Sequence, residues 1–335
     1  MKHVMRVALI VGVAVGAWAV SSDRSYSQAG DPNAAPNPYK MQNNFFQLPP
    51  GRTLGGAIKV QVDHSDGKSL WVFDRCEQAN CNPIQKFDAS GKFVRGFGAN
   101  MFVQPHGFYV DYEGNVWATD NGIRNGKGGV VVKFSPTGQV LMTLGHQGMP
   151  GNAEGYFNGA SSVVVGRNGD IFVGDGHGGN TNDRVVKFDK TGKQVLTFGK
   201  HGKGPGEFDA LHGIAMDSQG RIFVADRANS RIQVFDSNGK FVAEWKQFGR
   251  PSDVAIDKND VIYTADSEST ERVHPGWFRG VRIGSLTDGK VTVFIPPHKT
   301  DSPDGAMGEG IAIDAAGNIY TAEAQLRGVT KYVKK

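Results

Sequence analysis

One pattern recurs along this 335-residue chain. QPHGFYVDYEGNVWATD runs from Gln104 to Asp120, LHGIAMDSQGRIFVAD from Leu211 to Asp226, and GEGIAIDAAGNIYTAE from Gly308 to Glu323. Each copy reads as an apolar strand ending in Asp, a turn containing glycine, and a second strand ending in an acid. Units recur every 40 to 57 residues, a period that points to solenoids or propellers.

Six such units can be written out. Their first halves are IKVQVDHSDGKSLWVFD from Ile58, HGFYVDYEGNVWATD from His106, SVVVGRNGDIFVGD from Ser162, HGIAMDSQGRIFVAD from His212, SDVAIDKNDVIYTAD from Ser252 and EGIAIDAAGNIYTAE from Glu309. Second halves such as RVVKFDKTGKQVLTFG from Arg184 add two more strands. Glycine with Asn, Asp or Ser between short apolar runs signals hairpins. Four-stranded antiparallel units repeated about a centre make a β-propeller. The sixth unit stops at GVTKYVKK, one strand short. Phe45-Phe46-Gln47-Leu48 is expected to supply that strand and close the ring. The fold class is therefore all-β, a six-bladed β-propeller over residues 45–335.

The charge balance narrows the partners. Net charge is +4, from 37 basic and 33 acidic residues, with no concentrated basic face for nucleic acid. Lys2, His3 and Arg6 precede an apolar run from Val7 to Val20, and Ser27-Gln28-Ala29 offers small residues for cleavage before Gly30. Residues 1–29 thus read as a signal peptide, since a membrane span needs about 20 apolar residues. An uncleaved anchor is the alternative. A periplasmic or secreted monomer is expected, with no membrane attachment after cleavage. Residues 30–44, rich in Pro, Asn and Ala, read as a linker. Cys76 and Cys81 are the only cysteines. In an oxidising compartment they are expected to form a disulfide, two free thiols being the alternative.

In a propeller, first strands line the central channel, so the residue opening each one joins a ring at one mouth. Aligned on the strand-ending Asp, the ring reads Ile58, His106, Ser161, His212, Ser252, Glu309. His106, His212 and Glu309 fall in alternate blades, a third of a turn apart, and converge on the axis. Two imidazoles and a carboxylate with an open position suit catalytic zinc, and also iron; copper is a further option. Singly, each would more often be a hydrogen-bonded channel residue. The same face carries Arg75 after Asp74, His177 in the loop GHGGNTND, and a blade-five insertion, residues 267–282, holding His274, Trp277, Arg279 and Arg282. An aromatic and arginines in a long loop suit a carboxylate-bearing or peptide ligand; a solvated loop is the plain alternative. His64 and His201 are expected to be solvated.

These units resemble NHL repeats, the fourth most fully, with Asn229-Ser230-Arg231-Ile232-Gln233-Val234-Phe235. Histidines opening blades two and four look like those of the peptidyl-α-hydroxyglycine α-amidating lyase family. That resemblance implies cleavage of a peptidyl-α-hydroxyglycine to a peptide amide and glyoxylate on a zinc held by three histidines. Two of them match His106 and His212, while the third position is Glu309. The family's methionine matches Met307, and its catalytic arginine matches Arg75. Its tyrosine base aligns with His177, which lowers the base's ordinary pKa from about 10 to about 6.5. The aspartate that helps hold the family's calcium is Gly310, so calcium is not expected.

Three readings follow. In the first, a metal-dependent lyase binds metal through His106, His212 and Glu309, with His177 taking the proton and Arg75 steadying negative charge. In the second, a non-catalytic module binds a protein, peptide or glycan through the blade-five loop. The third is a calcium-dependent lactonase, which needs an acidic, Asn-rich channel that Glu309 alone does not provide.

Overall fold

The computed structural model describes residues 25–26, 30–297 and 308–335. Six blades of four antiparallel strands make up the propeller, and in the fourth a short fifth strand is added at the edge. Blade one is formed by Ala57–Val62, Leu70–Asp74, Ile84–Phe87 and Phe93–Phe97. Blades two, three, four and five follow in chain order from Pro105, Ala160, Leu211 and Pro251. Second strands such as Leu70–Asp74 and Ile222–Asp226 are buried along their whole length, as the middle of a stacked blade requires. Fourth strands such as Gln194–Phe198 alternate between partly buried and exposed positions. No described helix is long and apolar enough to cross a membrane.

Two acids, both present in every blade but the third, where Gly166 replaces the first, explain why the pattern recurs. The first sits at the hairpin turn. Asp111 accepts from the backbone N–H of Glu113 and Asn115, and Gly114, at φ 81°, lets the chain reverse. The aromatic that follows reaches back to it: Trp117 Nε1 donates to Asp111 at 3.0 Å, as Trp71 does to Asp63 and Tyr320 Oη to Asp314. The second acid ends the second strand and is buried. Asp120 accepts the N–H groups of Val103 and Gln104, both at 2.7 Å. Asn158, Asp209 and Arg250 donate likewise to Asp175, Asp226 and Asp266. Each such bond fastens the segment that leads into a first strand, and so fixes the residue opening it.

The ring closes by a different strand from the one expected. The sixth blade consists of Gly310–Ile313, Ile319–Glu323, Gly328–Lys334 and Tyr39–Gln42, with Tyr39 opposite Lys334 and Gln42 opposite Lys331. Phe45 and Phe46 instead pack with Phe87 and Tyr320 at the seam of blades six and one. An outer strand needs one face buried, and Tyr39 alone meets that need in the pattern YKMQ. The expected linker is correspondingly docked. Asn33 Nδ2 donates to the Gly276 carbonyl, and Asn33 Oδ1 accepts from Phe278 N and Arg282. Phe294 N donates to the Pro36 carbonyl. Ser25–Tyr26 pairs in parallel with Phe241–Trp245; the rest of the expected signal peptide lies outside the described residues.

Candidate functional site

Five of the six aligned residues occupy the same register position in their blades. Pro105, Ala160, Leu211, Pro251 and Ala57 pair with the acid ending each second strand, and the ladder then slips by a bulge. His106, Ser161, His212, Ser252 and Ile58 sit in that slip. A bulge re-aims a side chain out of the ladder: those of His106 and His212 meet each other, whereas that of Ile58 packs in the core of blades one and two. Glu309 enters blade six by donating its N–H to Ala322 O at 2.8 Å. Glycine follows all three ligand-type residues because neighbouring blades leave no room. A Cβ on Gly107 would lie 2.6 Å from Ser162 Cα, one on Gly213 2.7 Å from Asp253, and one on Gly310 2.6 Å from the Ile58 carbonyl oxygen.

His106 and His212 are 0% and 1% exposed. His106 Nδ1 donates to the Ser161 carbonyl at 2.7 Å, and His212 Nδ1 to the Ser252 carbonyl at 2.6 Å. A carbonyl only accepts, so Nδ1 carries the proton and Nε2 presents a lone pair. Both Nε2 atoms are buried without a hydrogen-bond partner. This is how protein-held metal-binding imidazoles are oriented.

His177 completes a group that the sequence reading divided differently. Its backbone N–H donates to Thr181 Oγ1, which folds the loop inward. Its ring lies 4.5 Å from that of His106 and 5.0 Å from that of His212, and the ring pair His106–His212 is 4.6 Å apart. Ligand nitrogens of these three lie within 4.8 Å of one another. Burial, joined by the charge of His177, holds His106 well below the usual imidazole range. Burial and Arg227 do the same to His212. His177 is pushed down to about 4 by burial and by Arg227 and Arg75. Neutral imidazoles are the form that binds a metal, so the donor set fits a divalent ion.

Glu309 stands outside this trio, facing Arg75 at 3.8 Å, and its Oε2 is buried without a hydrogen bond. Arg227 was not singled out from the sequence. It lies 3.9 Å from Glu268, and its charge reaches His177, His212 and Glu309. The signal was present: Arg227 follows Asp226 in blade four as Arg75 follows Asp74 in blade one, the opposite blade. Trp277 stacks on His274 at 4.6 Å beneath the guanidinium of Arg282, and Arg279 Nε donates to the Ser269 carbonyl. Both are engaged within the insertion. Cys76 and Cys81 form a disulfide. Met307 lies outside the described residues. His201 is exposed and paired with Asp183, and His64 stacks on Tyr112.

The NHL repeat family matches residues 208–235. Human NHL repeat-containing protein 3 is 29% identical, over 83% of this chain and 80% of its own length. The mouse peptidyl-glycine alpha-amidating monooxygenase is 34% identical over 85% of this chain, which spans only 30% of that longer protein. Peptidyl-alpha-hydroxyglycine alpha-amidating lyase 1 of Drosophila melanogaster is 34% identical over 47% of this chain and 30% of its own length. Among solved structures, a streptogramin B lyase superposes with TM-score 0.56 at 16% identity, covering 89% of this chain and 98% of that one; this likeness concerns the fold. The chain is an NHL-repeat six-bladed β-propeller that resembles the peptidyl-α-hydroxyglycine α-amidating lyases.

Proposed function

We propose that this chain is an exported, metal-dependent lyase acting on a small N-acyl- or peptidyl-α-hydroxyglycine. The observation that carries the reading is the pair of buried, unpartnered Nε2 atoms of His106 and His212. A divalent ion, zinc foremost, would supply Lewis-acid polarisation of a substrate oxygen. His106 and His212 would hold it, with a third donor from His177 or Glu309. The short ring separations favour His177, although the sequence reading gave the ligand role to Glu309 and the base role to His177. Glu309, beside Arg75, is then placed to take the hydroxyl proton and return it to the departing amide nitrogen. Arg75 and Arg227 approach from opposite blades, and a guanidinium suits a substrate carboxylate. The products would be an amide and glyoxylate, so the C–N bond breaks without an external oxidant. The disulfide agrees with an oxidising compartment.

Incubation of the zinc-loaded protein with an N-acyl-α-hydroxyglycine tests this reading. Glyoxylate should form well above the uncatalysed rate and cease in His106→Ala. Absence of glyoxylate from zinc-loaded protein would reject it. Zinc content divides the two ligand assignments: His177→Ala should lose metal and Glu309→Gln should keep it, whereas the reverse restores the sequence assignment. A binding module remains the rival reading, supported by the exposed Val273 and Phe278 on the insertion; it predicts ligand capture that is indifferent to metal.

A further inference from the structure

We infer that the Cys76–Cys81 disulfide positions Arg75 at the channel mouth, so that a covalent ring of six residues belongs to the site; this rests on the reading of the mouth given above. The comparison is with Arg227, which occupies the equivalent position in blade four. There the connection from second to third strand is only Arg227–Ser230. Ser230 N donates to Arg227 O at 3.0 Å, and Asn229 Nδ2 reaches both oxygens of Asp226 at 3.1 and 3.0 Å. A tight turn alone fixes that arginine.

In blade one the connection runs from Arg75 to Pro83, between Asp74 and Ile84. A longer connection has more conformations to lose. The disulfide shortens it immediately after Arg75, bringing the Cα atoms of Cys76 and Cys81 to 5.7 Å. Cys76 has φ 46°, a left-handed conformation that few side chains adopt. Its N–H donates to Asp74 Oδ1 at 2.6 Å, while Arg52 and Gln85 hold Asp74 Oδ2 at 2.6 and 3.0 Å. The segment before blade one closes on this ring. A Cβ on Gly55 would lie 3.0 Å from the nitrogens of Cys76 and Glu77, and Arg75 N donates to Gly56 O at 3.0 Å. The backbone of Arg75 is therefore held from both sides. The guanidinium is held less firmly, since its contact with Glu309 is 3.8 Å and Nε is buried without a partner. Arg75 is thus aimed by its backbone, and the ring is what holds that backbone.

The test compares oxidised wild type, wild type treated with a phosphine reductant, and Cys76→Ser/Cys81→Ser, all zinc-loaded. Limited trypsin digestion read by mass spectrometry should cut after Arg75 in the second and third samples and spare it in the first. Zinc content should be equal in all three. With N-acyl-α-hydroxyglycine, kcat/KM should fall roughly tenfold to a hundredfold, mainly through KM, as lost carboxylate binding requires. Reduced protein that resists cleavage after Arg75 and keeps kcat/KM would overturn the inference. If no sample forms glyoxylate, the lyase reading fails, and the trypsin pattern alone decides the role of the disulfide.

Discussion

His106 Nδ1 donates to the carbonyl of Ser161, 2.7 Å away in the next blade. His212 repeats this with Ser252. Each bond crosses a seam between blades and fixes the tautomer that leaves Nε2 free. Loss of a supporting hydrogen bond to a ligand histidine costs roughly 10–100-fold in metal affinity. His106→Ala, which removes the ligand itself, should exceed that loss. Chelator competition on purified protein would measure it.

At the seam of blades six and one the aligned residue is Glu309. Gly310 places its neighbour beside the Ile58 carbonyl oxygen just as Gly107 does beside Ser161, but a carboxylate cannot donate there once ionised. Glu309→His should therefore tighten zinc binding, because the new Nδ1–H is expected to meet Ile58 O and its Nε2 to add a donor beside His106, His177 and His212. Slower zinc loss to a chelator is the expected result.

Protonation should oppose the site. His106 and His212 are held well below the usual range and His177 is pushed down to about 4, chiefly by burial. In the unfolded chain each returns to about 6.5. Between those values the unfolded state binds more protons, so stability falls as pH drops from about 6.5 towards 4. Melting temperatures of metal-free protein across this window should decline, and His177→Gln should soften the decline.

Blade packing around the ring leaves no space for a methyl group. Gly213→Ala sets a Cβ against Asp253 and the Ser252 carbonyl. Overpacking of this kind costs about 1–3 kcal/mol. Denaturant unfolding should show that loss, together with weaker zinc binding, because His212 is the adjacent residue.

Much of this was legible in the repeats. An acid closes the second-strand motif of every blade, from Asp74 through Glu323, so the residues opening the first strands could be aligned despite the uneven spacing of the repeats. His177 was harder to place. It lies in a loop whose fold depends on Thr181, and no strand period reports how close it comes to His106. The closing strand was missed because Phe45 and Phe46 look more strand-like than Tyr39–Gln42. Their rings fill a seam between blades, a demand of tertiary packing and not of strand pairing. Arg227 needed only the same alignment applied one residue beyond Asp226.

The N-terminal strap bears on the mouth through Asn33. Its side chain joins Gly276, Phe278 and Arg282, and Arg282 is fully buried. Asn33→Ala leaves those groups short of partners, at about 1–3 kcal/mol. Hydrogen exchange should quicken in the insertion around Phe278 and remain unchanged in blade three.

An anomalous-scattering scan on crystals of the protein grown with zinc would locate the metal. One peak at the zinc edge is expected in the channel, within bonding distance of Nε2 of both His106 and His212. A channel with no peak, or zinc bound only elsewhere, would contradict this assignment.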